Sequence, residues 1–90
     1  MIERSVQVTN KNGIHARPAA EIVKLAAKYK SQITVAREGD DLEVNGKSIM
    51  GVMMLAAEFG STVRIRADGP DAGDAMEALS HLIAGRFGES

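Results

Sequence analysis

Thr9-Asn10-Lys11-Asn12-Gly13-Ile14-His15-Ala16-Arg17-Pro18 joins two segments of different hydrophobic period, and the fold turns on that junction. Before it, Ile2, Val6 and Val8 fall on one side of a period-2 repeat and Ser5, Gln7 and Thr9 on the other, which predicts a strand over 2–9. After it, Ile22, Leu25, Ala26 and Tyr29 follow the i, i+3, i+4, i+7 spacing of a helix running to about Tyr29. Asn10-Lys11-Asn12-Gly13 supplies the turn residues between them. Pro18 fits only the first turn of a helix, where its missing N–H costs nothing. The helix is therefore expected to start just after His15.

The remaining chain continues the alternation. Ile33 and Val35 oppose Thr34 in a strand over Gln32–Arg37, Glu38-Gly39-Asp40-Asp41 turns it, and Leu42-Glu43-Val44 returns. Asn45-Gly46 breaks that strand. Ser48 has the chemistry of an N-cap for a helix reaching about Phe59, with Gly60 as its stop. Thr62–Ala67 reads as a fourth strand, with Val63, Ile65 and Ala67 inward and Arg64 and Arg66 outward. After Gly69-Pro70-Asp71, a last helix carries Ala72, Ala75, Met76, Leu79, Leu82 and Ile83 on one stripe; Gly85 ends it, and Arg86–Ser90 reads as a loose tail. The order is β-α-β-β-α-β-α. Strands that alternate apolar and polar fit a sheet covered on one face, with the helices on that face. The fold class is an α+β open-faced sandwich, one domain spanning residues 1–90. The order in which the strands pair does not follow from the pattern.

Composition narrows the function. A chain of 90 residues can bury about 63% of its unfolded surface, enough for one thin two-layer core and too little for a multidomain enzyme. There is no cysteine, which excludes disulfides, thiol catalysis and thiolate metal sites. With only two histidines, no metal site is expected, and no cofactor motif is present. Eleven basic residues against twelve acidic ones leave no basic excess for nucleic acid, and no Trp, one Tyr and two Phe supply little base stacking. No apolar run has the length of a membrane span, and no signal-peptide segment is read at the N-terminus, so a cytoplasmic protein without membrane insertion is expected.

His15, placed at the start of a helix, faces first-turn amides that lack internal partners and a dipole that favours negative charge. Such an end is a ready site for a phosphoryl group. Arg17 adds a permanent cation two residues on, suited to phosphate oxygens. An ordinary histidine, with a pKa near about 6.5, is largely neutral and nucleophilic at pH 7. The same spacing also describes a surface histidine beside a turn with a solvated arginine, and spacing alone does not separate the two. A metal site is disfavoured, because His81 lies on the distant last helix and no carboxylate neighbours His15 in sequence.

Asn12-Gly13-Ile14-His15-Ala16-Arg17-Pro18-Ala19, set between a first strand and a first helix, resembles the active-site signature of the HPr family, the histidine-containing phosphocarriers of the bacterial phosphotransferase system. The resemblance covers essentially the whole chain in length and element order. It implies a four-stranded antiparallel sheet with three helices on one face. It further implies that His15 takes phosphate on Nδ1 from enzyme I, itself charged by phosphoenolpyruvate, and passes it to an EIIA-type protein. Arg17 then steadies the phosphate, and Pro18 sets the loop-to-helix geometry. The protein is by this resemblance a stoichiometric carrier, not an enzyme, and a monomer is expected.

A second string, Lys47-Ser48-Ile49-Met50-Gly51-Val52-Met53-Met54-Leu55, is apolar all round, which a short helix on a thin domain cannot bury on every side. Val52 and Leu55 are expected inward, and Ile49, Met50 and Met53 at the rim, where methionines suit a surface serving several partners. Ser48 on its own reads as a plain cap. The string, however, resembles the regulatory site of HPr proteins modified by an ATP-dependent HPr kinase/phosphorylase, which implies phosphorylation of Ser48. Arg17, Glu21, Lys24 and Lys28 lie along one face of the first helix, a solvated face by default; the resemblance makes Ala16, Ala20 and Lys24 partner contacts.

There is one departure from the family pattern, and one further resemblance that bears on the pathway rather than the chemistry. The stretch from Ile33 to Ser48 is two residues longer than in the commonest HPr pattern, an excess placed in the Glu38–Asp41 hairpin. Thr9-Asn10-Lys11 and Gly69-Pro70 are similar to the nitrogen-type paralogue, whose phosphorelay is purely regulatory, so the alternatives of sugar uptake and regulation both stand. Two other classes, a ferredoxin-like interaction module and a small free-standing enzyme, are opposed by the charge balance and by the lack of an acid–base pair.

Overall fold

The structure, a computed structural model, describes residues 1–88. Its elements follow the expected order: β1 (Ile2–Gln7), α1 (Ala16–Ala26), β2 (Gln32–Arg37), β3 (Glu43–Asn45), α2 (Ile49–Met54), β4 (Thr62–Asp68) and α3 (Ala72–Ala84), followed by a 3₁₀ turn at Arg86–Gly88. The strands form one sheet in the order β1-β4-β2-β3, every neighbouring pair antiparallel. The two strands nearest the termini, β1 and β4, thus pair although 54 residues separate Gln7 from its partner Thr62, and β3 is held at the far edge by its hairpin with β2. No periodicity argument reaches across that distance.

Register accounts for the core. Val6 pairs with Val63, Ile33 with Ala67 and Val35 with Ile65, so all stand on one face. Ala19, Ile22 and Ala26 from α1 and Ala75, Met76, Leu79 and Ile83 from α3 cover that face, joined by Val52 and Leu55 around α2. Burying each Ile, Leu, Val or Met among them contributes roughly 1.5–3 kcal/mol. The opposite face stays polar: Arg66 bridges Glu3 at 2.7 Å and Glu43 at 3.0 Å, and Arg64 meets Glu38 at 2.9 Å. Arg4 and, at the end of β2, Arg37 also fall on the core side. For Arg4 the cause is its register. Its pairing with Ile65 aims it under the helices, where it donates to Ser80 Oγ at 3.4 Å and meets Glu77 at 3.3 Å. A cation on the inner side of an edge strand discourages further strand addition there.

Several boundaries differ from expectation, each for a tertiary reason. Strand β1 ends at Gln7, yet the pairing continues: Val8 N–H donates to Ser61 O and Gly60 N–H to Val8 O. The first helix stops at Ala26 rather than Tyr29. There Lys28 and Tyr29 donate to Leu25 and Ala26, an i→i−3 tightening that ends the α-helix while Tyr29 still packs on the core. The third strand is Glu43–Asn45 and leaves Leu42 at the hairpin surface. Helix α2 is only Ile49–Met54; Ala56 takes φ 50° and the chain leaves the helix long before Phe59. The expected loose tail is a correction as well: Arg86–Gly88 is an ordered turn whose Phe87 is 4% exposed. The last two residues of that expected tail, 89–90, lie outside the described residues.

One side chain clamps the α1–β2 connection. Asp71 is the N-cap residue of α3, but its side chain makes no capping bond to its own helix. Its carboxylate accepts from Ser31 Oγ at 2.5 Å, Lys30 N–H at 2.8 Å and Ser31 N–H at 2.9 Å. These bonds, the Ser31 hydroxyl foremost, hold the carboxyl at about 2, below its ordinary 3.8. A depressed folded-state pKa means that the stabilisation is complete above the unfolded value and is lost as pH falls through the folded one. Asp71→Asn should therefore lower Tm by several degrees at neutral pH, and the gap between the two proteins should close as pH falls from about 4 to about 2. Thermal melts across that range check it; a gap independent of pH would contradict the clamp.

Candidate functional site

The loop ahead of α1 is built to put one side chain outside and its neighbours inside. Asn10 is fully buried and donates from Nδ2 to Gly13 O at 2.6 Å, while Gly13 N–H donates back to Asn10 O at 3.1 Å. Gly13 has φ 69°, and a Cβ there would lie 2.6 Å from Ala57 O. Only glycine meets both demands. Ile14 then buries its side chain and donates its N–H to Ala57 O at 2.8 Å. With Ile14 turned inward and the chain extended at the next position (φ −94°, ψ −164°), His15 faces solvent as the N-cap residue of α1.

His15 caps with its backbone and not its side chain. Its carbonyl accepts from Ala19 N–H at 2.9 Å, and the imidazole makes no capping bond. Pro18 is buried and brings no N–H, so the first-turn donors without an intrahelical acceptor are those of Ala16 and Arg17, beside the ring. The first turn holds no acidic residue to offset the positive helix end. The arrangement can receive a compact anion attached to the ring.

Arg17 is half exposed, and its guanidinium spans two elements. Nη1 meets Glu21 Oε2 at 3.1 Å, and Nη2 donates to Phe87 O at 3.4 Å. The first contact joins two residues expected on one helical face. The second brings in the carboxy-terminal turn, which sequence reasoning left out of the site. Further along α1, Ala16 and Lys24 are exposed and Ala20 is half-buried.

Ser48 is the N-cap of α2, and its Oγ accepts from Gly51 N–H at 3.1 Å. Gly51 lets the short helix lie close on β3, since a Cβ would come within 3.3 Å of Val44. Val52 and Leu55 are buried as expected, while Ile49, Met50, Met53 and Met54 are exposed, Met50 the most at 75%. The turn that follows α2 supplies the Ala57 carbonyl under Ile14, so the segment of Ser48 and the loop of His15 are joined by a direct hydrogen bond. His81 stands apart on α3, and among the described residues no group of three or more His, Asp or Glu side chains is placed to hold a metal ion. No helix among them is long and apolar enough to cross a membrane.

Sequence reasoning missed Phe87, Ala57 and Asn10. A buried-type aromatic just after the Gly85 stop was the available signal for the first. Ala57 acts through its backbone carbonyl, which carries no side-chain signature, and Asn10 acts through its side-chain amide, which in sequence reads as turn chemistry alone.

Comparison with known proteins agrees with this geometry. The model of the phosphotransferase-system HPr component phosphorylation site matches residues 2–85. A phosphocarrier protein HPr of Cupriavidus necator is 52% identical over 89 residues, covering 99% of this chain and 98% of that protein. The crystal structure of an HPr from Thermoanaerobacter tengcongensis superposes with a TM-score of 0.92 at 44% identity, covering 100% of this chain and 99% of the other. A second structure from that organism, described as an HPr dimer, has a TM-score of 0.76 at 47% identity and covers 99% and 100%. A sheet open on one face, an exposed histidine at the mouth of α1 and a full-length match of sequence and fold together place this chain in the HPr family, the phosphocarrier proteins of the phosphotransferase system.

Proposed function

We propose that His15 is the residue that carries the phosphate, received from phosphorylated enzyme I and surrendered to an EIIA-type protein. The observation that carries this is the exposed imidazole at the N-cap of α1, which makes no capping bond and stands at a helix end with no acidic residue in its first turn. In the loading step the unprotonated ring nitrogen, Nδ1 by family resemblance, attacks the phosphorus of the donor. A P–N bond to His15 forms as the bond to the donor's leaving atom breaks, and the electron pair stays with the donor. The reverse sequence of bond changes delivers the phosphate to the acceptor. The helix end and the Arg17 guanidinium stabilise the negative charge. Because that grip is open to solvent it is moderate, and the phosphoramidate remains labile. No acid–base pair is needed in this chain, since the proteins at each end supply the positioning.

The exposed α2 face, Ile49, Met50 and Met53, together with Ala16, Ala20 and Lys24 on α1, is the docking surface in this proposal. Ser48 is its regulatory switch. Phosphorylation by an ATP-dependent HPr kinase/phosphorylase adds about −1.5 to −2 charges at the start of α2. The Gly51 N–H that now donates to Ser48 Oγ tolerates that charge with little refolding. Its cost falls on a partner, which must desolvate the phosphate or face it with acidic groups. The protein is proposed to work as a cytoplasmic monomer without a cofactor.

Incubation with enzyme I and phosphoenolpyruvate should label the protein in an acid-labile manner, and His15→Ala should abolish the label; a variant still labelled would reject the assignment. Ser48→Ala should remove the ATP-dependent, acid-stable label added by the kinase and leave the first label intact. Met50→Glu should weaken binding to enzyme I about fivefold or more, the effect of losing an interface contact worth about 1 kcal/mol. Titration calorimetry reads this directly, and unchanged affinity would put Met50 outside the interface.

A further inference from the structure

The turn at Arg86–Gly88 is costly to form. Arg86 and Phe87 are consecutive non-glycine residues in the left-handed region, at φ 60° and 54°. Such conformations are unfavourable for residues with a Cβ and persist where surrounding structure enforces them. What enforces this one is the Phe87 ring, 4% exposed and part of the same core as α1 and α3. Gly88 N–H closes the turn on Gly85 O at 3.2 Å, and Gly85 N–H caps α3 on His81 O at 2.8 Å. The result is a backbone carbonyl at a fixed place beside the start of α1. That carbonyl, Phe87 O, accepts from Arg17 Nη2, and Glu21 holds Nη1 from the other side. A helix could have ended at Gly85 without this turn, and the core gains only one ring from it.

We infer that Phe87 is a positioning residue for phosphoryl transfer: its buried ring fixes the left-handed turn, and the carbonyl of that turn orients the Arg17 guanidinium toward the place the phosphate will occupy. The inference rests on the proposed role of His15 and Arg17. The bond at 3.4 Å is long, and Arg17 is half exposed. An orienting contact of this strength yields to an incoming dianion, whereas a tight one would compete with it. The turn thus limits where Arg17 can be without tying it down. Loss of the ring frees the turn to unwind from its strained conformation, and the arginine then samples orientations that do not meet the phosphate.

The experiment measures single-turnover phosphoryl transfer from phosphorylated enzyme I to the full chain, with a parallel ¹⁵N NMR spectrum of the Arg17 guanidinium. Phe87→Ala should slow transfer threefold or more at saturating donor, with the concentration for half-saturation changed less than twofold. Phe87→Leu, which keeps an apolar plug, should recover at least half of the wild-type rate. In an Arg17→Ala background, Phe87→Ala should have no further effect, a coupling that a merely structural role would not produce. Wild-type transfer by a folded Phe87→Ala protein overturns the inference, as does an equal slowing with and without Arg17. If Phe87→Ala fails to fold, Gly88→Pro, which keeps the ring but removes the N–H that closes the turn on Gly85 O and cannot take the φ of 74° found there, carries the test through the guanidinium signal, which should move toward its solvent-exposed position; an unchanged signal overturns the inference. That signal needs no donor protein, so a failure of the positioning role is distinguishable from a failure of His15 to accept phosphate at all.

Discussion

The hydrogen bond from Ile14 N–H to Ala57 O, with Gly13 lying so close to the same carbonyl that a Cβ would sit 2.6 Å from it, is the contact on which the working part of the molecule depends. It seats the loop ahead of α1 on the turn behind α2. With Ile14 buried and the backbone extended at the next residue, His15 has nowhere to point but outward, at the mouth of a helix whose first turn contains a proline and no acid. The loop thus exposes the ring while its own backbone is held by the bonds at Asn10, Gly13 and Ile14.

The rest of the fold serves that placement. Two helices, α1 and α3, close the core on one face of a four-stranded sheet, and the other face is left to a ladder of Glu3, Arg66 and Glu43. Exposed pairs of this kind contribute little stability. They do keep the open face soluble and self-satisfied in charge. The apolar surface that is exposed lies on α2 instead, where Ile49, Met50, Met53 and Met54 emerge because a helix of six residues can turn only Val52 and Leu55's side toward the core. Uncovered apolar groups are where association surfaces generally form, and this patch adjoins the segment that braces the His15 loop.

The electrostatics around His15 come from parts of moderate strength. A helix end contributes a partial charge, and a half-exposed guanidinium shared with Glu21 and Phe87 O contributes a whole one that solvent screens. In the proposed function, such surroundings stabilise a phosphoryl group on His15 without sequestering it, which is the requirement for a carrier as opposed to a receptor. Asp71 shows the contrast. Its carboxylate takes three hydrogen bonds from Lys30 and Ser31 and is correspondingly committed to holding the fold.

The sequence by itself determined the element order, the inward faces of the strands and helices, the exposed candidate site at His15 and Arg17, the cap at Ser48 and the split around α2 into buried Val52 and Leu55 against exposed Ile49, Met50 and Met53. These follow from local periodicity, from cap and turn chemistry and from a family-specific string, all of which act over a few residues. Only the tertiary structure decided the pairing of β1 with β4, the early ends of α1 at Ala26 and α2 at Met54, and the ordered turn that brings Phe87 to Arg17. Each of those depends on a contact between residues far apart in the chain, often through a backbone carbonyl such as that of Ala57 or Phe87. A carbonyl is the same in every residue, so a sequence cannot announce which one will be used.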